Sequence, residues 1–336
     1  MLVLGIETSC DDTAVAVVRN GNEVLSNLVS SQIDLHRRFG GIVPEIASRK
    51  HLELLVPLLD ASLREAGKSL VEIQGIAVTQ GPGLSGSLLM GLCLAKVLAL
   101  THQIPLIAVN HLEGHLFATR IDHPQLEPPF LYLLVSGGHT SLYGVREWGS
   151  YRLLGKTRDD AAGEAFDKVA KYLELGYPGG PLIDRLSREG EPGRFRFRGG
   201  LESCDSGDFS FSGLKTAVVR RYASLPENRR KERKVIYDLV ASFQETVIRT
   251  LVNKTLRAAR QSGFETIVLG GGVAANSRLR EVFPERTRGM GITIAFPSLS
   301  LCTDNAAMIA SCGTFHLLRG ETSDVFVEPE PRLALG

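Results

Sequence analysis

The sequence predicts an α/β protein built from two similar halves, on three observations. The chain has 336 residues, 43% of them hydrophobic, which is enough for two cores. Strand-like runs alternate with helical stretches along its length. The order of those elements, β-β-β-α-β-α-β, is written twice, although no residue-level repeat is visible.

In the first half, LVLGI (2–6), TAVAVV (13–18) and EVLSNLVS (23–30) read as strands parted by turn residues. Residues 44–66 read as a helix with Leu52, Leu55, Val56, Leu59 and Leu63 on one stripe. GIAVT (75–79) and PLIAV (105–109) are strands on either side of LSGSLLMGLCLAKVLAL (84–100). That apolar run is broken by Lys96 and is short for a membrane span, so a buried core helix is expected and no membrane. The N-terminus, MLVLGIETSC, has no basic n-region and reaches Glu7 too soon for a signal peptide.

The second half repeats the order. FLYLLVS (130–136), TSLYGV (140–145) and SYRLLGK (150–156) read as strands. Helical segments follow, including a long amphipathic one from about 229 to 262. Then come strand TIVLGG (266–271), a helix from about 276, strand GITIAF (291–296) and a last helix from about 304. Charged, Pro- and Gly-rich loops are expected at 121–129 and 188–208. This alternation argues for a mostly parallel sheet in each half and a nucleotide cleft between the halves. The expected division puts 1–109, joined by the C-terminal helix of about 304–336, in one lobe, and 110–303, with helical insertions, in the other.

Net charge is only +1, so a nucleic-acid partner would have to be met by a local basic patch. The cysteines (Cys10, Cys93, Cys204, Cys302, Cys312) are odd in number and form no CxxC pair. That argues against a disulfide scaffold or a Cys-based zinc site and fits a reducing cytoplasm.

Three turns suit a nucleotide. IETSCDDTA (6–14) and LVSGGHTSL (134–142) are polar hairpins after the first strand of each half. Gly137 and Gly138 can bring backbone N–H groups close to a phosphate, because no Cβ intervenes. VLGGGVAANSRL (268–279) runs from a strand through three glycines to a helix start at Asn276, a positive dipole end. Taken singly these are ordinary tight turns; on equivalent hairpins of a doubled fold they favour a nucleotide site. No GxxxxGK[ST] loop is present, and GGGVAA only loosely resembles GxGxxG.

HLEGH (111–115) sets His111 and His115 at i, i+4, on one helical face about 5–6 Å apart. Two imidazoles can share a divalent ion, but a third ligand must come from elsewhere. Asp304 in SLCTDNAAMIA (300–310) is the candidate; its plainer role would be a helix N-cap. A zinc peptidase needs HExxH. Here Leu112 holds the acid's place, and Glu113 lies about 200° round from His111.

The segments IETSCDDTAVAVV, GGIVPEIASRKH, TQGPGLSGSL, VNHLEGH, LVSGGHTSL, GEAFDKVAK, YPGGPLID, DFSFSGLKTAV, GGVAANSRLR and CTDNAAMIA together resemble the bacterial tRNA adenosine threonylcarbamoyltransferase family, once described as O-sialoglycoprotein endopeptidases. The resemblance runs over about residues 2–315. It implies duplicated RNase H-like lobes of the actin, Hsp70 and sugar-kinase type, which agrees with the doubled order. It implies transfer of threonylcarbamoyl from threonylcarbamoyl-AMP to N6 of the adenosine beside the anticodon, in tRNAs reading codons that begin with A. A single divalent metal, iron or else zinc, is implied on His111, His115 and Asp304. Substrate contacts are implied for Leu134, Val135, Ser136, Gly137, Gly138, Asp167, Gly180, Asp184 and Asn276. So are two protein partners: an inactive paralogue and a small P-loop ATPase.

Beside that resemblance, Glu7, Asp11 and Asp12 on the first hairpin are candidates to orient the amine or accept its proton. GRFRFRGG (193–200) and RRKERK (229–234) are candidates for tRNA phosphates, though each could be a solvated face. A sugar kinase or ATPase of the same fold is the competing enzyme class. HLEGH speaks against it, since carboxylate-held Mg²⁺ needs no helix imidazoles. A non-catalytic nucleotide-binding subunit is the third reading.

Overall fold

The structure is a computed structural model, and it describes residues 1–201 and 206–336. Cys204 and part of the expected 188–208 loop lie outside the described residues. The chain divides into two compact units. One holds Met1–Leu126 and Pro297–Leu335, the other Glu127–Phe296 with Gly336.

The first unit runs β1 (Leu2–Glu7), β2 (Asp12–Arg19), β3 (Glu23–Ser31), α1 (Ile33–Arg37), α2 (Pro44–Glu65), β4 (Gly75–Gly81), α3 (Ser85–His102), β5 (Leu106–Asn110) and α4 (His111–Asp122). The chain crosses to the second unit for β6 (Phe130–Val135), β7 (Thr140–Glu147), β8 (Ser150–Lys156), α5 (Ala162–Tyr172), α6 (Gly179–Ser187), α7 (Ser212–Ala223), α8 (Glu227–Arg230), α9 (Arg233–Ser262), β9 (Thr266–Gly270), α10 (Ser277–Thr287) and β10 (Thr293–Ala295). It returns for α11 (Leu299–Cys302) and α12 (Ala306–Leu318).

The two sheets share one topology: β3-β2-β1-β4-β5, and β8-β7-β6-β9-β10. In each, the first strand is central, antiparallel to the second and parallel to the fourth. Both sheets are therefore mixed, not mostly parallel. The physical reason is connection length. Only a few residues join β1 to β2 and β2 to β3, whereas a parallel crossover needs a dozen or more.

In the first unit, alternate residues of the strands face opposite ways. Leu2, Leu4, Ile6, Val15, Val17, Ile76 and Val78 pack with Leu55, Leu59 and Leu63 of α2 and Leu92 and Leu98 of α3. Gly5 and Ala77 face the other side, where α12 lies against them. A Cβ at Gly5 would strike the Ala306 carbonyl, so glycine is what lets the α12 backbone approach β1. Two expectations change here. Leu52 and Val56 share the α2 sequence stripe but are exposed, at 69% and 61%, because a 3.6-residue period leaves them off the Leu55–Leu59–Leu63 line. The apolar helix α3 is long enough by composition to cross a membrane, and only one of its faces is covered. Leu88 and Leu92 are buried, while Val97 and Leu100 are exposed.

Helix α4 packs on α12 and therefore belongs to the first unit. The expected lobe boundary after 109 and the observed one after Leu126 differ by this helix. In the second unit, α9 is a 30-residue helix with Leu239, Phe243, Val247 and Leu251 buried. It ends at Gly263, whose φ of 71° suits the left-handed residue that closes a helix.

Candidate metal centre and nucleotide turns

β5 passes into α4 with no intervening loop. Asn110 is the N-cap, its side chain accepting from Leu112 N at 2.9 Å. His111 is thus the first helical residue, with His115 one turn on and ring centroids 4.7 Å apart. Across from them, Asp304 Oδ1 lies 3.6 Å from His111 Nε2 and 3.4 Å from His115 Nε2. One ligand atom from each of the three residues can be chosen so that all lie within 4.8 Å of one another. The capping role considered for Asp304 falls instead to Asn305, whose side chain accepts from Met308 N at 3.0 Å. Asn305 also donates to Thr303 O at 2.9 Å, which fixes the backbone that carries Asp304.

His111 is oriented from behind. Its Nδ1 meets Glu7 Oε2 at 2.9 Å and Ser9 Oγ at 3.2 Å, which leaves Nε2 turned to Asp304. A carboxylate behind a ligand imidazole fixes its tautomer and raises its basicity. Glu7 is fully buried and is used several times: it also accepts from Thr79 Oγ1 at 2.6 Å and from the Ser9 amide. Ser9 and Thr79 were not singled out from the sequence. Each is a short hydroxyl in a turn or at a strand end, with no spacing to mark it.

The acidic groups here are close enough to shift one another. Glu7, Asp11, Asp12 and Asp304 influence one another across this part of the unit. Burial first, then repulsion from Asp304, raises the Asp12 carboxyl to about 7, against a hydrogen bond to Ser31. The same two causes raise Asp11. Burial works against the His111 imidazolium, but Glu7 and Asp304 outweigh it and raise the group to about 9. Burial lowers His115, with Asp304 opposing. Both ring nitrogens of His115 are buried and neither makes a well-formed hydrogen bond among the described residues; the nearest oxygen, Asp304 Oδ1, stands 3.4 Å from Nε2 and exerts only a partial pull. A buried orphan imidazole nitrogen carries a desolvation cost that a metal ion would remove. Two nitrogens and a carboxylate oxygen suit iron or zinc and leave positions open. The residues present fit such an ion.

In the second unit, Ser136–His139 forms the β6–β7 turn, with Ser136 N donating to His139 O at 2.8 Å. A Cβ added at Gly137 or Gly138 would meet nothing within 4 Å, so the turn has an open approach. Gly163, at the start of α5, presses on this turn, and a Cβ there would lie 2.6 Å from Ser136 O. Leu134 and Val135 are wholly buried in β6, so only their main chain can meet a ligand; their side chains are core.

The other expected substrate residues have structural partners. Asp167 Oδ1 accepts from Gly179 N at 2.7 Å. Asp184 accepts from Ser277 Oγ at 2.8 Å and from Ser277 N at 3.2 Å. Asn276 caps α10 through Leu279 N at 3.0 Å and donates to Gln244 at 2.8 Å. Helix α6 thus links α5, whose Asp167 holds the first residue of α6, to the α10 N-terminus, which is held by Asp184. Gly180 has open space where a Cβ would be, whereas Gly179 is the tightly packed glycine of the pair.

The two basic segments differ. In 194–198 the three arginines are exposed and the two phenylalanines half-buried, as alternation requires. Phe195 and Phe197 stack at 6.5 Å, and Arg221 lies over Phe195. In 229–234, by contrast, Arg229, Lys231 and Lys234 pair with Glu232, Glu227 and Asp238. A second basic groove, with Arg257, Arg260 and Arg286 among its lining residues, was missed because Arg286 joins the Arg257–Arg260 helical pair only through tertiary packing.

A family model for tRNA N6-adenosine threonylcarbamoyltransferase matches residues 23–311. Relatives with that description include one from Caldicellulosiruptor saccharolyticus, 50% identical over 335 residues, covering 100% of this chain and 98% of the relative. Another, from Synechocystis sp., is 51% identical, covering 99% and 97%. Among solved structures, HypF of T. kodakarensis aligns at TM-score 0.64 and 13% identity, covering 97% of this chain and 48% of that one. Component A of (R)-2-hydroxyglutaryl-CoA dehydratase from Acidaminococcus fermentans aligns at 0.53 and 15%, covering 94% and 97%. These structural likenesses are of fold, the duplicated α/β lobes of the actin, Hsp70 and sugar-kinase type.

Proposed function

Because the chain belongs to the tRNA N6-adenosine threonylcarbamoyltransferase family and is a tRNA-modifying transferase, we propose that it moves threonylcarbamoyl from threonylcarbamoyl-AMP to N6 of the adenosine beside the anticodon, in tRNAs reading codons that begin with A. The observation that carries this reading is the convergence of His111, His115 and Asp304, with the His115 nitrogens unsatisfied.

The donor is a mixed carbamic–phosphoric anhydride with AMP as a good leaving group. The N6–carbonyl bond forms, the carbonyl–phosphate bond breaks, and the amine loses a proton. The two imidazoles and Asp304 would hold a divalent ion, iron before zinc, which would supply Lewis-acid polarisation and offset phosphate charge. Glu7 holds His111 with Nε2 facing inward. The open Ser136–Gly138 turn offers N–H groups to donor oxygens. Gly180, Asp184 and Asn276 shape the nucleoside end of the donor, with Asp167 holding the start of α6. Asp12 takes the amine's proton: its Oδ1 has no hydrogen-bond partner among the described residues, whereas Glu7 is occupied by three donors. Burial first, then Asp304, with Asp11 adding a smaller repulsion, keeps Asp12 protonatable.

The test is direct. Supplied with threonylcarbamoyl-AMP, tRNA and its partner proteins, the protein should yield N6-threonylcarbamoyladenosine in digested tRNA by mass spectrometry. Unmodified adenosine at that site, with all components active, would refute the reading.

The paralogue partner is assigned to α2 and α3, which pack together and leave Leu52, Val56, Val97 and Leu100 exposed. Leu52→Glu with Leu100→Glu should weaken paralogue binding by roughly 10-fold or more while the melting temperature stays put. Unchanged affinity by calorimetry would move that interface elsewhere. The ATPase partner has no assigned surface. The tRNA is assigned to Arg194, Arg196 and Arg198, and each replacement by alanine should reduce the salt slope of tRNA binding by about one. A cytoplasmic location fits the tRNA substrate and the absence of a disulfide at Cys10, Cys93, Cys302 and Cys312.

A further inference from the structure

Helix α4 has a second chemical face. His111 and His115 look toward Asp304, while Glu113, about 200° round, looks toward α12. There it meets Cys312 and His316, which stand at i, i+4 on one face of α12. Glu113 Oε2 is 3.0 Å from His316 Nε2. The Cys312 thiol sulfur, a carboxylate oxygen and an imidazole nitrogen from these residues lie within 4.8 Å of one another. His316 Nδ1 is held by Glu321 Oε2 at 2.6 Å, and Glu321 is held by Arg319 Nε at 2.8 Å. This repeats the arrangement behind His111: a carboxylate fixes one ring nitrogen and turns the other toward an acid. Cys312 is fully buried and Glu113 nearly so, while His316 reaches the surface and gives a path for entry.

We infer that Glu113, Cys312 and His316 form a second cation site, distinct from the His111–His115–Asp304 centre, that takes a zinc-like divalent ion with water as fourth ligand. Sulfur, nitrogen and oxygen donors on a closed helix pair are a zinc donor set. The charges close: the Cys312 thiol proton and the proton shared by Glu113 and His316 leave to solvent, so two anionic ligands face a dication. No electron is transferred. Glu113 and His316 must part by a few tenths of an ångström to reach ligand spacing around metal bonds of about 2.0–2.3 Å. The ion ties α4 to α12, the helix that carries His111 and His115 to the one that follows Asp304. The site escaped the cysteine spacing because it uses a single cysteine, not a CxxC pair.

Cobalt(II) distinguishes the two sites, because only this one contains sulfur. Chelator-stripped wild type titrated with Co²⁺ should bind two equivalents per chain and develop a thiolate-to-cobalt charge-transfer band in the near ultraviolet with the intensity of one bound cobalt. His111→Ala should keep the band. Cys312→Ser should lose it and bind one equivalent less, and His316→Gln should bind that equivalent more weakly, with circular dichroism unchanged in both. No such band in wild type would overturn the inference. A band that survives in Cys312→Ser would also overturn it, by assigning the sulfur to another cysteine such as Cys10. The inference does not depend on the transferase reading, since the wild-type spectrum decides it without tRNA or donor.

Discussion

Replacing His115 by alanine should abolish most turnover: tRNA modification at saturating donor falls by at least roughly 10²-fold, even with excess cation. The imidazole is completely buried, it is one of three ligands, and neither of its nitrogens has another hydrogen-bond partner among the described residues. No neighbouring side chain that could replace it is among the ligand atoms gathered at the centre. Glu7→Gln provides a graded comparison. It keeps the size and one acceptor oxygen but loses the charge behind His111 Nδ1, so metal affinity should fall by roughly 10–100-fold, with activity recovered at high cation. If His115→Ala kept near-normal turnover, or Glu7→Gln were irreversibly inactive, the ligand assignment would be wrong.

The second large effect concerns Asp12. Its folded carboxyl titrates at about 7, above the ordinary 3.8, first because it is buried and then because Asp304, Asp11 and Glu7 repel its charge. A raised acid binds more protons folded than unfolded. Its contribution is therefore fully present below the ordinary value and lost as pH rises through about 7. His111, raised to about 9, adds a further loss between its ordinary 6.5 and that value. Metal-free protein should thus lose melting temperature from about pH 4.5 to 9, and Asp12→Asn should remove the portion below pH 7.5. Cation binding should flatten the curve, since a positive charge beside Asp304 offsets the repulsion. In catalysis, Asp12→Asn should cost roughly 10²–10⁴-fold in turnover with donor affinity kept, and should remove the acid limb of the rate profile. Equal losses in turnover and donor affinity would instead give Asp12 a binding role.

Much of this was legible in the sequence, and the rest has identifiable causes. Alternation of two and of 3.6 residues marked the main strands and long helices, and the i, i+4 spacing of His111 and His115 marked the face that the structure sets against Asp304. The mixed sheet was overlooked although the short connections between β1, β2 and β3 imply it. Other features depend on tertiary contact, which no local pattern encodes. Glu7 behind His111 spans 104 residues of sequence, and Ser277 on Asp184 spans 93. Likewise Asn276 was expected as substrate contact or cap, and the structure shows it capping α10 while donating to Gln244. The exposure of Leu52 and Val56 followed from helix phase and could have been read more closely.

The most direct measurement is anomalous diffraction at the metal edge of cation-loaded crystals. A peak about 2.0–2.2 Å from His111 Nε2, His115 Nε2 and an Asp304 oxygen is the predicted result. Active, cation-loaded protein with no peak among those atoms, or with the two imidazoles turned away from Asp304, would contradict it.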